Sequence, residues 1–138
     1  MSRRIWLATN VVLDVILERE GFVEEASELF LLHESSEIEV IISTLSLANI
    51  AYVVKKKGKN PFLIIAGLLK WITIVSLDRS HFEKNVSSSF RDFEDGLQYF
   101  SVASVVGIEA IITRNTKDFK TASIPVLTPT QFLLTIER

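Results

Sequence analysis

The chain has no cysteine, only two histidines, five glycines and three prolines, and each scarcity removes a class of explanation. Without cysteine there is neither a disulfide framework nor a thiolate metal site. His33 and His81 lie in separate parts of the chain with no His or Cys beside them, so they are expected at the surface or at helix ends and not as zinc ligands. There is no Gly-rich phosphate loop, no dinucleotide fingerprint and no Ser-His-Asp arrangement. The longest apolar run, Phe62 to Leu69, falls well short of the about 20 residues that a bilayer span requires. Ser2-Arg3-Arg4-Ile5-Trp6-Leu7 has the outline of a twin-arginine export signal, but Asn10, Asp14, Glu18 and Arg19 interrupt any apolar region behind it. A soluble, cytoplasmic protein with no membrane partner is expected. A net charge of −2 excludes a globally basic nucleic-acid binder and leaves room only for a local basic patch.

What is present is a globular composition, 48% hydrophobic and 23% charged, in 138 residues, which suits one domain over residues 1–138. Short apolar, β-branched runs recur along it: Ile5-Trp6-Leu7, Val40-Ile41-Ile42, Ile72 to Val75, Ala110-Ile111-Ile112 and Ile124 to Leu127, the last with a proline that suits an edge strand. Between them lie segments of helical spacing: Val11 to Arg19 with Asn10 as its cap and Gly21 as its end, Phe22 to His33, Leu45 to Lys57, Pro61 to Lys70, Arg79 to Val86, an apolar segment after Asp95, and Thr130 to Ile136. On the first of these, Asp14 sits nearer the polar flank. Lys55-Lys56-Lys57-Gly58-Lys59 reads as a solvated helix C-terminus, with a phosphate-backbone contact as the alternative. Strands alternating with helices predict a three-layer α/β/α fold around a central, mainly parallel sheet of about five strands.

A parallel sheet gathers its strand ends at one edge, where open α/β sheets bind ligands. That edge would collect Ala8-Thr9-Asn10, Ser43-Thr44, Ser76-Leu77-Asp78 and Thr113-Arg114-Asn115. Asp92, Glu94 and Asp95 arrive there at the start of the helix before the fourth strand. Acids in a first turn also suit capping and the helix dipole, and Asp92 with Asp95 resembles a capping box. Clustered oxygen ligands suit Mg²⁺ or Mn²⁺, and phosphodiester hydrolysis is the chemistry most at home among acids and such an ion.

Leu7-Ala8-Thr9-Asn10-Val11-Val12-Leu13-Asp14, Asp92-Phe93-Glu94-Asp95-Gly96-Leu97-Gln98-Tyr99 and Thr113-Arg114-Asn115-Thr116-Lys117-Asp118-Phe119 together resemble, in order and spacing, the motifs of PIN-domain proteins. The resemblance covers essentially the whole chain. It implies a small α/β ribonuclease fold using Mg²⁺ or Mn²⁺, of the kind found in VapC-like toxins held by an antitoxin and commonly dimeric. It implies catalytic roles for Asp95, Asn115, Asp118 and Thr113, metal ligation by Asp95, Asp92, Asn115 and Asp118, and substrate contacts at Thr9, Asn10, Asn49, Arg114 and Lys117. Two positions depart from the family pattern. Ala8 stands where an Asp is usual, and Asn49 where most members have Glu. An amide can ligate through its carbonyl but neutralises no charge, and alanine supplies nothing.

Three readings follow. The first is a PIN-like, metal-dependent ribonuclease impaired by Ala8; the second, a non-cleaving module that binds RNA or a protein partner. The third, a receiver-like domain, wants an Asp at the third strand's end, where the chain has Ser76 and only later Asp78. RNA contact is expected at Arg114, Lys117 and the Lys55 to Lys59 run. Self-association is expected through the apolar helices Phe22 to Leu32 and Phe62 to Trp71.

Overall fold

The computed structural model describes residues 2–136. β1 (Arg3–Leu7) lies at the centre of a five-stranded sheet, beside β2 (Ile38–Ser43) on one side and β4 (Ile108–Ile112) on the other. β3 (Thr73–Val75) and β5 (Val126–Leu127) are the edges, and every pairing is parallel, so the order is β3-β2-β1-β4-β5. Parallel pairing requires a crossover after each strand, and the helices between strands supply them. Ile5, Leu7, Val40, Ile42, Ala110 and Ile112 face one layer, in which α1 (Thr9–Ile16), α2 (Val23–Glu34), α3 (Thr44–Lys56), α4 (Pro61–Trp71) and α7 (Pro129–Leu133) pack. Trp6, Ile41 and Ile111 face the other, under Val102 of α6 (Phe93–Ala103) and Phe119 of the 3-10 turn Thr116–Phe119, with α5 (Arg79–Val86) alongside α6. Alternation along each strand thus feeds two apolar layers, and the expected α/β/α architecture is what the chain adopts.

Local chemistry fixes most boundaries where they were expected. Asn60 accepts the amide protons of Phe62 and Leu63 at 2.9 and 3.4 Å and Pro61 opens α4; Thr128 and Gln131 form a capping box around Pro129 at α7. Three details differ. The first helix begins two residues earlier than its polar sequence suggests, because Ala8, with extended φ and ψ of −66° and 152°, offers its carbonyl to the amides of Val11 and Val12; Ala8 is therefore the N-cap and Asn10 lies inside the helix. That helix stops at Ile16, not at Gly21, since Glu18 already takes a left-handed φ of 49°. His81 is buried, not superficial, with Nδ1 accepting the Asp78 amide at the start of α5 and Nε2 meeting Ser104 Oγ. His33 ties three elements together, Nδ1 accepting the Val40 amide at 3.0 Å while Nε2 donates to the Trp71 carbonyl at 2.7 Å. Among the described residues no helix is long and apolar enough to cross a membrane.

One glycine governs how α6 sits. A Cβ on Gly96 would lie 2.0 Å from Asn85 Oδ1 and 2.9 Å from Phe90 Cβ, so α6 approaches α5 closely only because that atom is missing. Asn85 is itself buried, donating to the Phe93 carbonyl at 2.7 Å, and cannot swing aside without losing that bond. Gly96→Ala should destabilise the fold by roughly 1–3 kcal/mol, the scale of overpacking a filled site, although alanine is intrinsically the better helix former by about 1 kcal/mol. Urea melts of the two proteins decide which effect wins; a gain in stability would show that the contact gives way.

Candidate active site at the strand ends

The carboxyl ends of β1, β2 and β4 converge with the first turn of α6. Asp92 is the N-cap of α6, its Oδ1 accepting the Asp95 amide proton at 2.9 Å. The cap leaves Asp95 half-buried beside Asp118, and both line an open cleft of about 430 Å³ with Asp92, Arg91, Lys117 and Lys120. Burial, followed by the charges of Asp118, Asp92 and Glu94, pushes the Asp95 carboxyl up to about 7. Burial and the charge of Asp92 also raise Asp118 above the ordinary carboxylate range. These acids repel one another, and among the described residues no ion pair joins them to Arg91, Lys117 or Lys120, which favours a proton or a metal ion.

Beneath the cleft lies a polar network with little in the sequence to announce it. Gln98, one turn after Asp95, accepts from Ser43 Oγ at 2.8 Å and donates to Ser46 Oγ at 3.2 Å; Thr9 Oγ1 donates to the same Ser46 oxygen at 3.1 Å. Ser43, Ser46 and Gln98 are all buried. The network joins α1, β2, α3 and α6 around the residue after Ala8. Gln98 and Ser101, polar residues on the same side of α6 as Leu97 and Val102, were the visible signal.

The residues singled out in the sequence divide into three groups. Asp95, Asp118, Asp92 and Lys117 share the cleft. Asn115 belongs to the same turn, its Nδ2 donating to Asp118 Oδ1 at 2.9 Å. Thr9, Asn10, Asn49 and Thr113 have been drawn into the scaffold. Thr113 is 1% exposed, and its hydroxyl oxygen accepts from Asn10 Nδ2 and from the Asn115 amide, which leaves it no access to a substrate. Asn49 Nδ2 donates to Glu94 Oε1, tying α3 to α6. Arg114 turns away altogether. Its Nε and Nη2 donate to the two carboxylate oxygens of Asp14 at 2.7 and 3.2 Å, and its guanidinium lies 4.0 Å over the ring of Phe22. Asp14, expected on a polar flank, is 1% exposed, because this partner removes the need for water.

Ala8 is only 9% exposed, so an acid introduced there enters a largely desolvated position. The Lys55 to Lys59 run lies at the far end of α3, which starts at the cleft, and is therefore about 20 Å away from it at 1.5 Å per residue.

A family profile described as PIN domain matches residues 4–117. The chain belongs to the PIN-domain family. A chain of a solved toxin-antitoxin complex from Klebsiella pneumoniae is 25% identical and superposes with a TM-score of 0.66, covering 91% of this PIN domain's chain and 97% of that one. A chain in the crystal structure of VapBC2 from Rickettsia felis, bound to a DNA fragment from its promoter, shares the fold with a TM-score of 0.60 at 19% identity, over 90% of this chain and 96% of that one. No curated protein matches. PIN nucleases generally use divalent metal ions, and the oxygen donors here fit such an ion in kind. They fall short in number: among the described residues no group of three His, Cys, Asp or Glu side chains is placed to hold one.

The raised Asp95 carboxyl makes stability depend on pH. Its ordinary value is 3.8 and its folded value about 7, so between these limits the folded state holds more protons than the unfolded one. Stability should then fall as pH rises through that window and level off above about 7. Asp95→Asn should remove most of the slope and raise stability at neutral pH in metal-free buffer, with a residue of slope from Asp118. Chemical melts between pH 4 and pH 8, at the edges of the window, test this; a wild-type slope unchanged in the variant would place the proton elsewhere.

Proposed function

We propose that this PIN domain is a ribonuclease scaffold of the toxin kind, impaired because Ala8 withholds one carboxylate from its metal site. One observation carries the reading: Asp95 and Asp118 face a common cleft, both with raised proton affinity, while position 8 at the end of β1 offers a methyl group. Mg²⁺ or Mn²⁺, if held there, would supply an activated water and would neutralise charge on the leaving oxygen. Asp95 and Asp118 would hold the ion, with Asp92 committed to its cap and Asn115 orienting Asp118. Lys117, Lys120 and Arg91 surround the acids and would meet the phosphates of a single strand. The alternative, a non-cleaving module that binds RNA or a partner, draws on the shortfall of metal ligands.

Ala8→Asp should restore Mn²⁺-dependent cleavage of single-stranded RNA, and Ala8→Asp with Asp95→Asn should be silent. In the absence of metal the new acid adds to the repulsion around Asp95, so its thermal stability should drop without Mn²⁺ and rise with it. RNA affinity should weaken by about 0.7 log units per tenfold salt for each phosphate neutralised, and replacing the Lys55 to Lys59 cations should leave cleavage unchanged. An Ala8→Asp protein that neither binds Mn²⁺ by calorimetry nor cleaves would establish the binding-module reading.

An antitoxin is the protein partner that the relatives, themselves solved as toxin-antitoxin assemblies, support. Self-association is the second part of the proposal, and the surface narrows it to one helix. The apolar face of α2 is mostly covered, with Ala26, Leu29, Phe30 and Leu32 buried and Phe30 stacked on Trp71 at 5.3 Å. α4 instead leaves Phe62 85%, Leu63 71% and Leu69 56% exposed, next to Tyr52 of α3. Single apolar residues on a surface mean little, but a contiguous set on one helix marks a contact. Light scattering at micromolar concentration should give a dimer mass that Phe62→Glu halves; a monomer before substitution rejects the dimer.

A further inference from the structure

α1 presents Asn10 and Asp14 along one face, four residues and hence about one turn apart. The two meet consecutive residues at the end of β4. Asn10 Nδ2 donates to Thr113 Oγ1 at 3.3 Å, and the Arg114 guanidinium grips both oxygens of Asp14. Arg19 reaches the same carboxylate at 3.3 Å, and Phe22 covers one face of the guanidinium. A buried ion pair is weak support for stability, since apolar replacements of similar volume are often as stable; where such pairs are useful, they fix register. The register fixed here is that of the turn carrying Asp118. Residue 115 follows Arg114 directly, its amide donates to Thr113 Oγ1 at 3.1 Å, and its side chain holds Asp118. The other end of the same helix is Ala8, its N-cap.

We propose that Asp14 is a positioning residue: acting through Arg114, with the Asn10–Thr113 bond as a second tether, it sets the Asn115 to Asp118 turn relative to position 8. One helix then carries one corner of the cation site on its cap and holds another by its flank. The functional consequence rests on the nuclease reading; the geometrical one does not.

The test uses Asp14→Asn and Arg114→Lys, each in the chain as it stands and in the Ala8→Asp protein. In the metal-free chain, amide chemical shifts and hydrogen exchange are measured residue by residue. The proposal expects changes through Asn115 to Phe119 with the rest of the spectrum retained, whereas changes confined to α1 and Arg114 overturn it. Should Asp14→Asn unfold the protein, Arg114→Lys carries the test, because it keeps the charge, loses the two-pronged grip and alters a side chain that is 29% exposed. In the Ala8→Asp protein, Mn²⁺ affinity by calorimetry should fall about tenfold to a hundredfold in either variant, as for residues that orient a ligand. The double variant should fall no further, since both act along one path. Unchanged affinity in both single variants overturns the positioning role. If Ala8→Asp alone binds no Mn²⁺, it is the nuclease reading that fails, and the amide measurements by themselves decide whether Asp14 sets the turn.

Discussion

Everything in this domain hangs on the placement of β1 between β2 and β4 in an all-parallel sheet. Ile5, Trp6 and Leu7 are fully buried, so the first strand has no alternative register that keeps its side chains out of water. The connections diverge from it, towards β2 and β3 on one side and β4 and β5 on the other, and that divergence opens the crevice in which open α/β sheets bind ligands. The cleft is thus a consequence of strand order. Its acids come from elements that the order brings together: α6, which precedes β4, and the turn that follows it.

Electrostatic tension is the second organising fact. Burial and the neighbouring carboxylates raise the proton affinity of Asp95 and Asp118, and the scaffold tolerates this by giving the surrounding acids partners. Asp92 is partly satisfied by an amide at the helix start, Asp118 by Asn115, and Glu94 turns outward to Asn49. Among the described residues the Asp95 carboxylate alone of these acids accepts no hydrogen bond, and its helix is held by the close seat of Gly96 on Asn85 and by the network through Gln98. Stability alone gives no reason to gather acids; a cation or a phosphate-bound cation does.

The strands and capped helices were legible in the sequence because their signals are local. Ile5 to Leu7 and Val40 to Ile42 are β-branched or bulky runs ended by polar residues, and Asn60-Pro61 writes a helix start in two letters. The acids of the cleft were legible too, through motif order. What escaped depends on partners remote in the chain. Asp14 reads as a flank residue until Arg114, on the far side of the sequence, buries it; Arg114 reads as a free cation beside a site until the same bond removes it. Thr113 looks reactive in a polar cluster, yet two donors already occupy its oxygen. The depth of position 8 could not be seen either, since it follows from how α1 begins on the Ala8 carbonyl.

The central strand also sets an order of events during synthesis. Ile5 emerges early but pairs with Ala110, and Ala8 donates its amide to Ile112, so β1 has one neighbour, β2, for most of the time the chain is being made. The edge of β1 that β4 will fill stays open until the last quarter of the sequence arrives. Parallel pairing over such a separation closes slowly, and an unfilled strand edge is a place where chains stick to one another. The turn bearing Asp118 comes later still, after β4. A nascent chain therefore carries the α6 acids before it has a cleft, and any partner that recognises the finished cleft can engage only after the whole sheet has closed.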